Sequence, residues 1–464
     1  MKELPRSLFD VFALSLPRGH GFGNTPPLGA WQSDDGLAFG IVTHDDRTDV
    51  FGTMVLRRRV DNVWVVTSQN DNIQSFDTAM MQLQPLLKDG IPPESMLPNT
   101  APRPALHDLK GRTPSDVFKR LTSPTDHVAA WMLNQLYLAL PKPDANWVSD
   151  CQTDNFHTRL WEAQLLASFR EQGLLVTQPH RSPDFLIQNR LGGSAWVEAV
   201  TANPPERYNH VSTESIEPPQ DRKERLLGTA AVRFAKTLGN KLGKNYHELP
   251  HVIGKPFIIA LADFQSSASM TWTREALISY LYGIYPQVEN VDGHRFVSAQ
   301  SIDRLLGDSG FPAGLFRNQE HSELSAVIFT NACSIAKFNR VGVSAGAATK
   351  QLRYVRIGEF FDRTPNALEG IPFCLDITSP EYRSLWPQGY EPWCAELEVF
   401  HNPFAKYPVP KELLPETTHW FEHNGEIICR SFYETSILRS FTLIQNEADK
   451  MPTLDDLFQG DLTD

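Results

Sequence analysis

Asp184 and Glu198 are the two side chains of this 464-residue chain whose types and spacing point most directly to chemistry. They flank the turn Asn189-Arg190-Leu191-Gly192-Gly193, between two β-type runs, Pro183 to Gln188 and Ala195 to Thr201, which read as adjacent antiparallel strands. With the turn centred near Leu191 and Gly192, pairing partners sum to about 383, which puts Asp184 opposite or next to Glu198. Two carboxylates at one spot repel, and one of them holds a proton unless a cation lies between them. A hard divalent ion with oxygen ligands, Mg²⁺ or Mn²⁺, removes that cost. Taken singly, Pro183-Asp184 is a turn at a strand entrance and Glu198 a residue on a solvated strand face.

The elements that must position this pair follow from periodicity. Phe156 to Gln172 carries Phe156, Leu160, Ala163, Ala167 and Phe169 at helical spacing and is closed by Gly173. Leu174 to Gln178 reads as a first strand before the two that hold the acids. A polar loop opening with Asn203-Pro204-Pro205 leads to a long predicted helix, Asp221 to Tyr246, with Leu226, Leu227, Ala230, Phe234, Leu238 and Leu242 as its buried stripe. The apolar run Phe257 to Ala262 follows as a fourth strand. Helices are expected at Thr273 to Tyr282 and, briefly, at Ala299 to Leu306, then a buried strand at Leu324 to Thr330.

At these residues the chain resembles the PD-(D/E)XK nuclease superfamily, the restriction-endonuclease-like fold, over roughly Asp154 to Val343. Pro183-Asp184 matches the PD element, Glu198-Ala199-Val200 lies where (D/E)XK belongs, and Glu162 falls where many members carry a helix acid. The resemblance implies that Asp184 and Glu198 hold the metal ion with Glu162 as a third acid; Glu162 also shares a helix face with Arg159 at i, i+3 and reads equally as a surface ion pair. The position of the family lysine is taken by Val200. The resemblance therefore implies either an inactive site or a lysine supplied by the next helix. Lys241, at the border of the apolar stripe beside Leu242, is the first choice, Lys244, three residues on, the second. Lys236 and Arg233 continue that edge as nucleic-acid contacts.

The formal charge of −12 argues against a protein that coats nucleic acid by bulk attraction. A local basic face remains available in Arg222, Lys223, Arg225, Arg233, Lys236, Lys241, Lys244 and Lys255, although such runs also serve as solvated helix faces. With 41% hydrophobic and 21% charged residues the chain is expected to be globular. No apolar run is long enough to span a bilayer, the N-terminus lacks the features of a signal peptide, and a cytoplasmic protein is expected. The five cysteines are widely spaced without a CxxC pair, which supports neither a disulfide framework nor a zinc ribbon.

Residues 1–100 read as a β-rich module, with strands at Leu37 to Thr43, Val50 to Arg58 and Val63 to Thr67. Residues 101–145 read as a proline-rich linker and a docking helix, Thr125 to Leu140. Residues 146–345 hold the nuclease-like core, and 346–464 a C-terminal extension with strand-like runs and an acidic end, Asp455 to Asp464, read as mobile. The Gly19-to-Asn24 run reads as an ordinary loop. Lys337, Arg340 and the Arg353-Tyr354-Val355-Arg356 run mix basic and aromatic residues in a way that suits either strand contacts or a packed core edge. Two motifs argue for other chemistry. Gly342-Val343-Ser344-Ala345-Gly346 fits the nucleophile elbow of a serine hydrolase, which requires an apolar strand entering it, and His419-Trp420-Phe421-Glu422-His423 fits a zinc-peptidase helix. The expectation is thus an α/β (α+β) fold with a restriction-endonuclease-like α-β-β-β-α-β core, working as a Mg²⁺-dependent nuclease on nucleic acid, with DNA favoured. The setting would be restriction, phage defence or repair, with a homodimer or a defence-system partner left open. The alternative is an inactive member of the same fold that binds nucleic acid or protein.

Overall fold

A computed structural model describes residues 1–13, 27–203, 218–266, 268–291, 294–307, 310–364, 367 and 369–454. The Gly19-to-Asn24 loop and the acidic segment 455–464 lie outside the described residues. The fold is mixed α and β and is organised on an eight-stranded sheet. In chain order its strands are β1 (Leu175–Thr177), β2 (Phe185–Gln188), β3 (Ser194–Ala202), β4 (Phe257–Asp263), β5 (Ala326–Thr330), β6 (Glu398–His401), β7 (Thr418–His423) and β8 (Glu426–Ser431). They lie side by side in that same order. β1, β2 and β3 form an antiparallel meander, β3, β4 and β5 run parallel, β6 is antiparallel to β5, β7 is parallel to β6, and β8 turns back on β7.

Period-2 alternation divides the strand side chains between two cores. Val197, Ala199, Ile258, Ala260 and Ile328 face one side, beneath helices α1 (Phe156–Glu171) and α4 (Ile335–Ser344). Trp196, Val200, Ile259, Leu261 and Phe329 face the other, beneath α2 (Thr229–Leu242) and α3 (Arg274–Tyr282). The central strands β4 and β5 are buried throughout, and apolar up to the closing Asp263 and Thr330, because helices cover both faces.

The first residues build a separate five-stranded antiparallel sheet, Lys2–Leu4, Pro27–Gln32, Ala38–Asp45, Val50–Arg58 and Trp64–Ile73. The helix Phe76–Leu83 lies against it so closely that a Cβ on Gly40 would meet Leu83 Cδ1 at 2.3 Å. The predicted docking helix spans His127–Ala139 and lies against α4 and α1.

Several expectations are corrected. The single helix Asp221 to Tyr246 is two, Arg222–Leu227 and α2, broken at Gly228, where a Cβ would sit 2.4 Å from the Glu224 carbonyl oxygen. The chain can turn there only without a side chain. Ala299 to Leu306 is not a helix: His294–Ser301 pairs along its length with Ile284–Val291 as a two-stranded ribbon. The stretch read as linker is packed rather than loose, with Leu106, Val117, Phe118 and Leu121 in the core. The boundary expected at residue 346 cuts through one sheet, because β6, β7 and β8 come from the C-terminal part.

Both rival motifs lose their geometry. Ser344 ends α4 instead of following a strand, is 1% exposed, donates to Val341 O and accepts from Glu391 N. His419 and His423 lie on strand β7, and His419 is buried against His401 and the Leu414 carbonyl. Lys337 and Arg340 are 0% and 3% exposed, so neither reaches nucleic acid. They join Arg356 in a buried ionic cluster with Glu391 and Glu396, Lys337 Nζ lying 2.8 Å and Arg340 Nε 3.0 Å from Glu391. An amphipathic pattern cannot distinguish such a cluster from a nucleic-acid face, because the cations are the same and only their partners differ.

Candidate functional site

The register of β2 on β3 decides the site. Phe185 pairs with Val197 and Leu186 with Trp196, so one further step places Asp184 opposite Glu198. Asp184 Oδ2 accepts a 2.7 Å hydrogen bond from Ala199 N, which ties its carboxylate to the strand carrying the second acid. Burial pushes the Asp184 carboxyl well above its ordinary range, and the nearby Glu198 and Glu162 carboxylates push it further, against the pull of the Ala199 N–H and of Lys241. The expected crowding of acids is therefore present.

Glu198 is 4% exposed, on the α2 side of the sheet. Its Oε1 accepts from Lys241 Nζ at 2.6 Å and from the Tyr246 hydroxyl at 2.7 Å. Its Oε2 is buried without a hydrogen-bond partner. Both donors converge on one oxygen and leave the other bare next to a second carboxylate, the arrangement that a bound cation completes. Asp184 and Glu198 thus fit a divalent ion as a two-carboxylate site. Among the described residues there is no group of three or more His, Cys, Asp or Glu placed to hold one.

Of the lysines considered, Lys241 reaches the acids. It does so from the last turn of α2, whose apolar stripe packs Phe234 and Leu238 into the core. Lys244 falls beyond the helix end, exposed, with its ammonium 5.9 Å from the Tyr246 ring centroid. Lys236 is exposed beside the Phe311 ring, and Arg233 lies on the preceding turn, close enough to Asp263 to act on its charge. Neither is brought to the acids. Val200 points to the same side of β3 as Glu198, as period 2 requires, so Lys241 approaches the face from which a strand lysine would project.

Glu162 and Asp184 line one cavity of about 240 Å³ with Arg159, Gln178, His180, Arg181 and Lys142. The oxygens of Glu162 are already engaged: Arg159 donates to both, at 2.8 and 3.0 Å, and Trp147 Nε1 to one at 2.9 Å. Arg159 also bonds Asp150 at 2.6 Å. This is an ion-pair cluster forming the wall of the cavity, which favours the ion-pair reading of Glu162 over that of a metal ligand. Glu162→Gln is accordingly expected to leave the metal dependence of any activity unchanged while lowering stability by roughly 0.5–1.5 kcal/mol, because half-buried Arg159 keeps Asp150 and Asp144 but loses one of its carboxylate partners. Denaturant unfolding checks the second half, and a shift in the ion concentration needed for activity would return Glu162 to the metal site.

Sequence reasoning missed Tyr246, Lys142 and Arg181. Tyr246 was placed at the end of a helix, and nothing local marks it as a donor to a residue 48 positions earlier. Lys142 and Arg181 are exposed at the cavity mouth, where cations can meet a phosphate chain. Burial keeps the Tyr246 hydroxyl protonated, so it donates. Tyr246→Phe retains the ring and deletes the bond that orients Glu198. The expected result is a loss of metal affinity of about tenfold to a hundredfold, offset by higher Mn²⁺, as measured by calorimetric titration; an unchanged affinity removes Tyr246 from the site.

No protein-family model, no curated protein and no solved structure matches this chain. No described helix is long and apolar enough to cross a membrane.

Proposed function

We propose that this chain is a divalent-metal-dependent nuclease of the restriction-endonuclease-like, PD-(D/E)XK type, with DNA favoured as substrate. One observation carries the reading: Asp184 and Glu198 meet across the β2–β3 ladder, and Lys241 arrives from the following helix to stand 2.6 Å from Glu198. The order helix, antiparallel meander, helix, parallel strand supports the same fold type.

Asp184 and Glu198 are the residues that would hold Mg²⁺ or Mn²⁺. When bound, such an ion supplies a Lewis acid for the scissile phosphate and lowers the pKa of a water. Lys241 places a positive charge at the edge of the acid pair, where it stabilises the attacking oxygen and the charge developing on the phosphate. Tyr246 and Lys241 together fix the rotamer of Glu198. Lys142 and Arg181 meet the backbone at the cavity mouth, which compensates locally for a chain that is acidic overall.

The test is incubation of the protein with circular and linear DNA, single- and double-stranded, and with RNA, in Mg²⁺, Mn²⁺ or EDTA. Cleavage of DNA that requires the ion is the expected result. Cleavage that persists in EDTA, or none on any substrate, overturns the reading. Binding without cleavage would select the inactive-member alternative, which Val200 favours.

A further inference from the structure

A second cavity, of about 580 Å³, opens at the amino ends of β4 and β5, where the chain enters both strands on the α2 side of the sheet. Its volume is within the range of small-molecule sites. Phe257, the first residue of β4, gives it one aromatic surface, and Tyr246 and Phe311 give it two more. Along its α2 edge the helix presents Gly239 and, one turn on, its C-cap Gly243. A glycine inside a helix weakens it, and close packing does not account for this one, because a Cβ on Gly239 would meet nothing within 4 Å. The two glycines leave bare backbone along the cavity, against which a flat molecule can lie.

Tyr280 of α3 says what such a molecule must carry. It lines the cavity, is 5% exposed, and its hydroxyl has no hydrogen-bond partner among the described residues. Burial alone pushes its pKa upward, with no charge and no hydrogen bond acting on it. The phenol therefore stays protonated and can donate. A buried hydroxyl without a partner is costly, and an aliphatic occupant would leave it so. Two exposed ammonium groups stand beside the aromatic rings, Lys236 Nζ at 5.6 Å from the Phe311 centroid and Lys244 Nζ at 5.9 Å from that of Tyr246. Of the two acids at the cavity, Glu323 is paired with Lys406 at 3.3 Å and Glu320 is exposed. Aromatic surfaces, a donor in the interior and cations outside suit a heterocycle with polar edge atoms that bears an anionic group.

We infer that this cavity binds a single nucleotide, its base against the aromatic surfaces and the α2 glycines, the Tyr280 hydroxyl donating to a base edge atom, and its phosphate toward Lys236 and Lys244. A free nucleoside monophosphate and an unpaired nucleotide of a strand offer the same chemistry. Tyr246 touches both this cavity and the acid pair, its ring here and its hydroxyl on Glu198, but binding does not rest on the nuclease reading. Titration calorimetry of the full chain in EDTA with AMP, GMP, CMP and UMP tests it, with ribose 5-phosphate as the arm that lacks a base. At least one monophosphate is expected to bind one to one, at least about tenfold more tightly than ribose 5-phosphate, and equally well in the Asp184→Asn variant. Tyr280→Phe deletes a hydroxyl that nothing in the fold holds, so the thermal midpoint should stand while affinity falls about threefold to tenfold. Gly239→Leu fills the cavity and favours the helix, so the midpoint should hold or rise while affinity falls at least about tenfold. Displacement of the bound monophosphate by a short single-stranded oligonucleotide would assign the site to a strand, and its retention to the free nucleotide. No binding of any monophosphate at about 1 mM, ribose 5-phosphate binding as tightly, loss of binding in Asp184→Asn, or unchanged affinity in both cavity variants would each overturn the assignment.

Discussion

Asp184→Asn is expected to abolish ion-dependent cleavage and, at neutral pH, to make the protein more stable. The first effect follows from the loss of one of two anionic ligands. The second follows from the raised pKa of the Asp184 carboxyl, which burial and the neighbouring acids hold above its ordinary 3.8. For an acid shifted upward on folding, the unfolded chain gives up its proton first. The contribution of the group to stability is therefore intact below pH 3.8 and is lost as pH rises toward the folded-state value. Asn carries no charge, and its amide oxygen can still accept from Ala199 N, so the variant escapes that loss. Thermal midpoints of the two proteins should coincide near pH 4 and separate above it, the variant lying higher. A variant that cleaves normally dissolves the site; a variant less stable at pH 7 shows that Asp184 is not held against its charge. Glu198→Gln should lose cleavage in the same way.

Lys241→Ala is the second large effect, a fall in cleavage rate of about a hundredfold to a thousandfold, the usual cost of deleting one group aimed at developing charge. Nucleic-acid binding should be nearly retained, because Lys142 and Arg181 stand at the mouth. Lys244→Ala should have no effect, since that residue lies beyond the helix end and faces solvent. A structural role for Lys241 would also lower activity, because Glu198 would be left buried with one donor fewer. Val200→Lys placed in the Lys241→Ala background separates the two accounts. Val200 shares the side of β3 with Glu198, so a lysine there can restore charge at the acids from the strand. Partial recovery of the rate, with binding unchanged, is expected from a catalytic lysine. Full activity in Lys241→Ala alone would end the migrated-lysine idea.

Much of the site was legible because it rests on local rules. The turn Asn189 to Gly193 and the period-2 runs beside it set the β2–β3 register, and register alone brings Asp184 to Glu198. The same alternation shows that Val200 occupies the place of a strand lysine. Helical spacing along α2 marks its buried face, and Lys241 borders that face, so its reach toward the acids was readable as well. Strands such as Val50–Arg58 and Phe257–Asp263 stand out because apolar runs of that length between turn residues have few other solutions.

What only the tertiary structure decided depends on partners far away in the chain. Glu162 looks the same in sequence whether it binds a metal ion or Arg159, and it is the packing of Trp147 and Arg159 around it that assigns it to an ion-pair cluster. Lys337 and Arg340 suit strand contacts and a packed core edge equally well in sequence, and it is Glu391 and Glu396, more than fifty residues later, that assign them to the core. The His294–Ser301 ribbon and the strands β6 to β8 were misread or cut off because β pairing is long-range and leaves little trace in one strand alone. That α3 and α4 cover opposite faces of the sheet was likewise decided by the packing of whole layers and is carried by no single stretch of sequence.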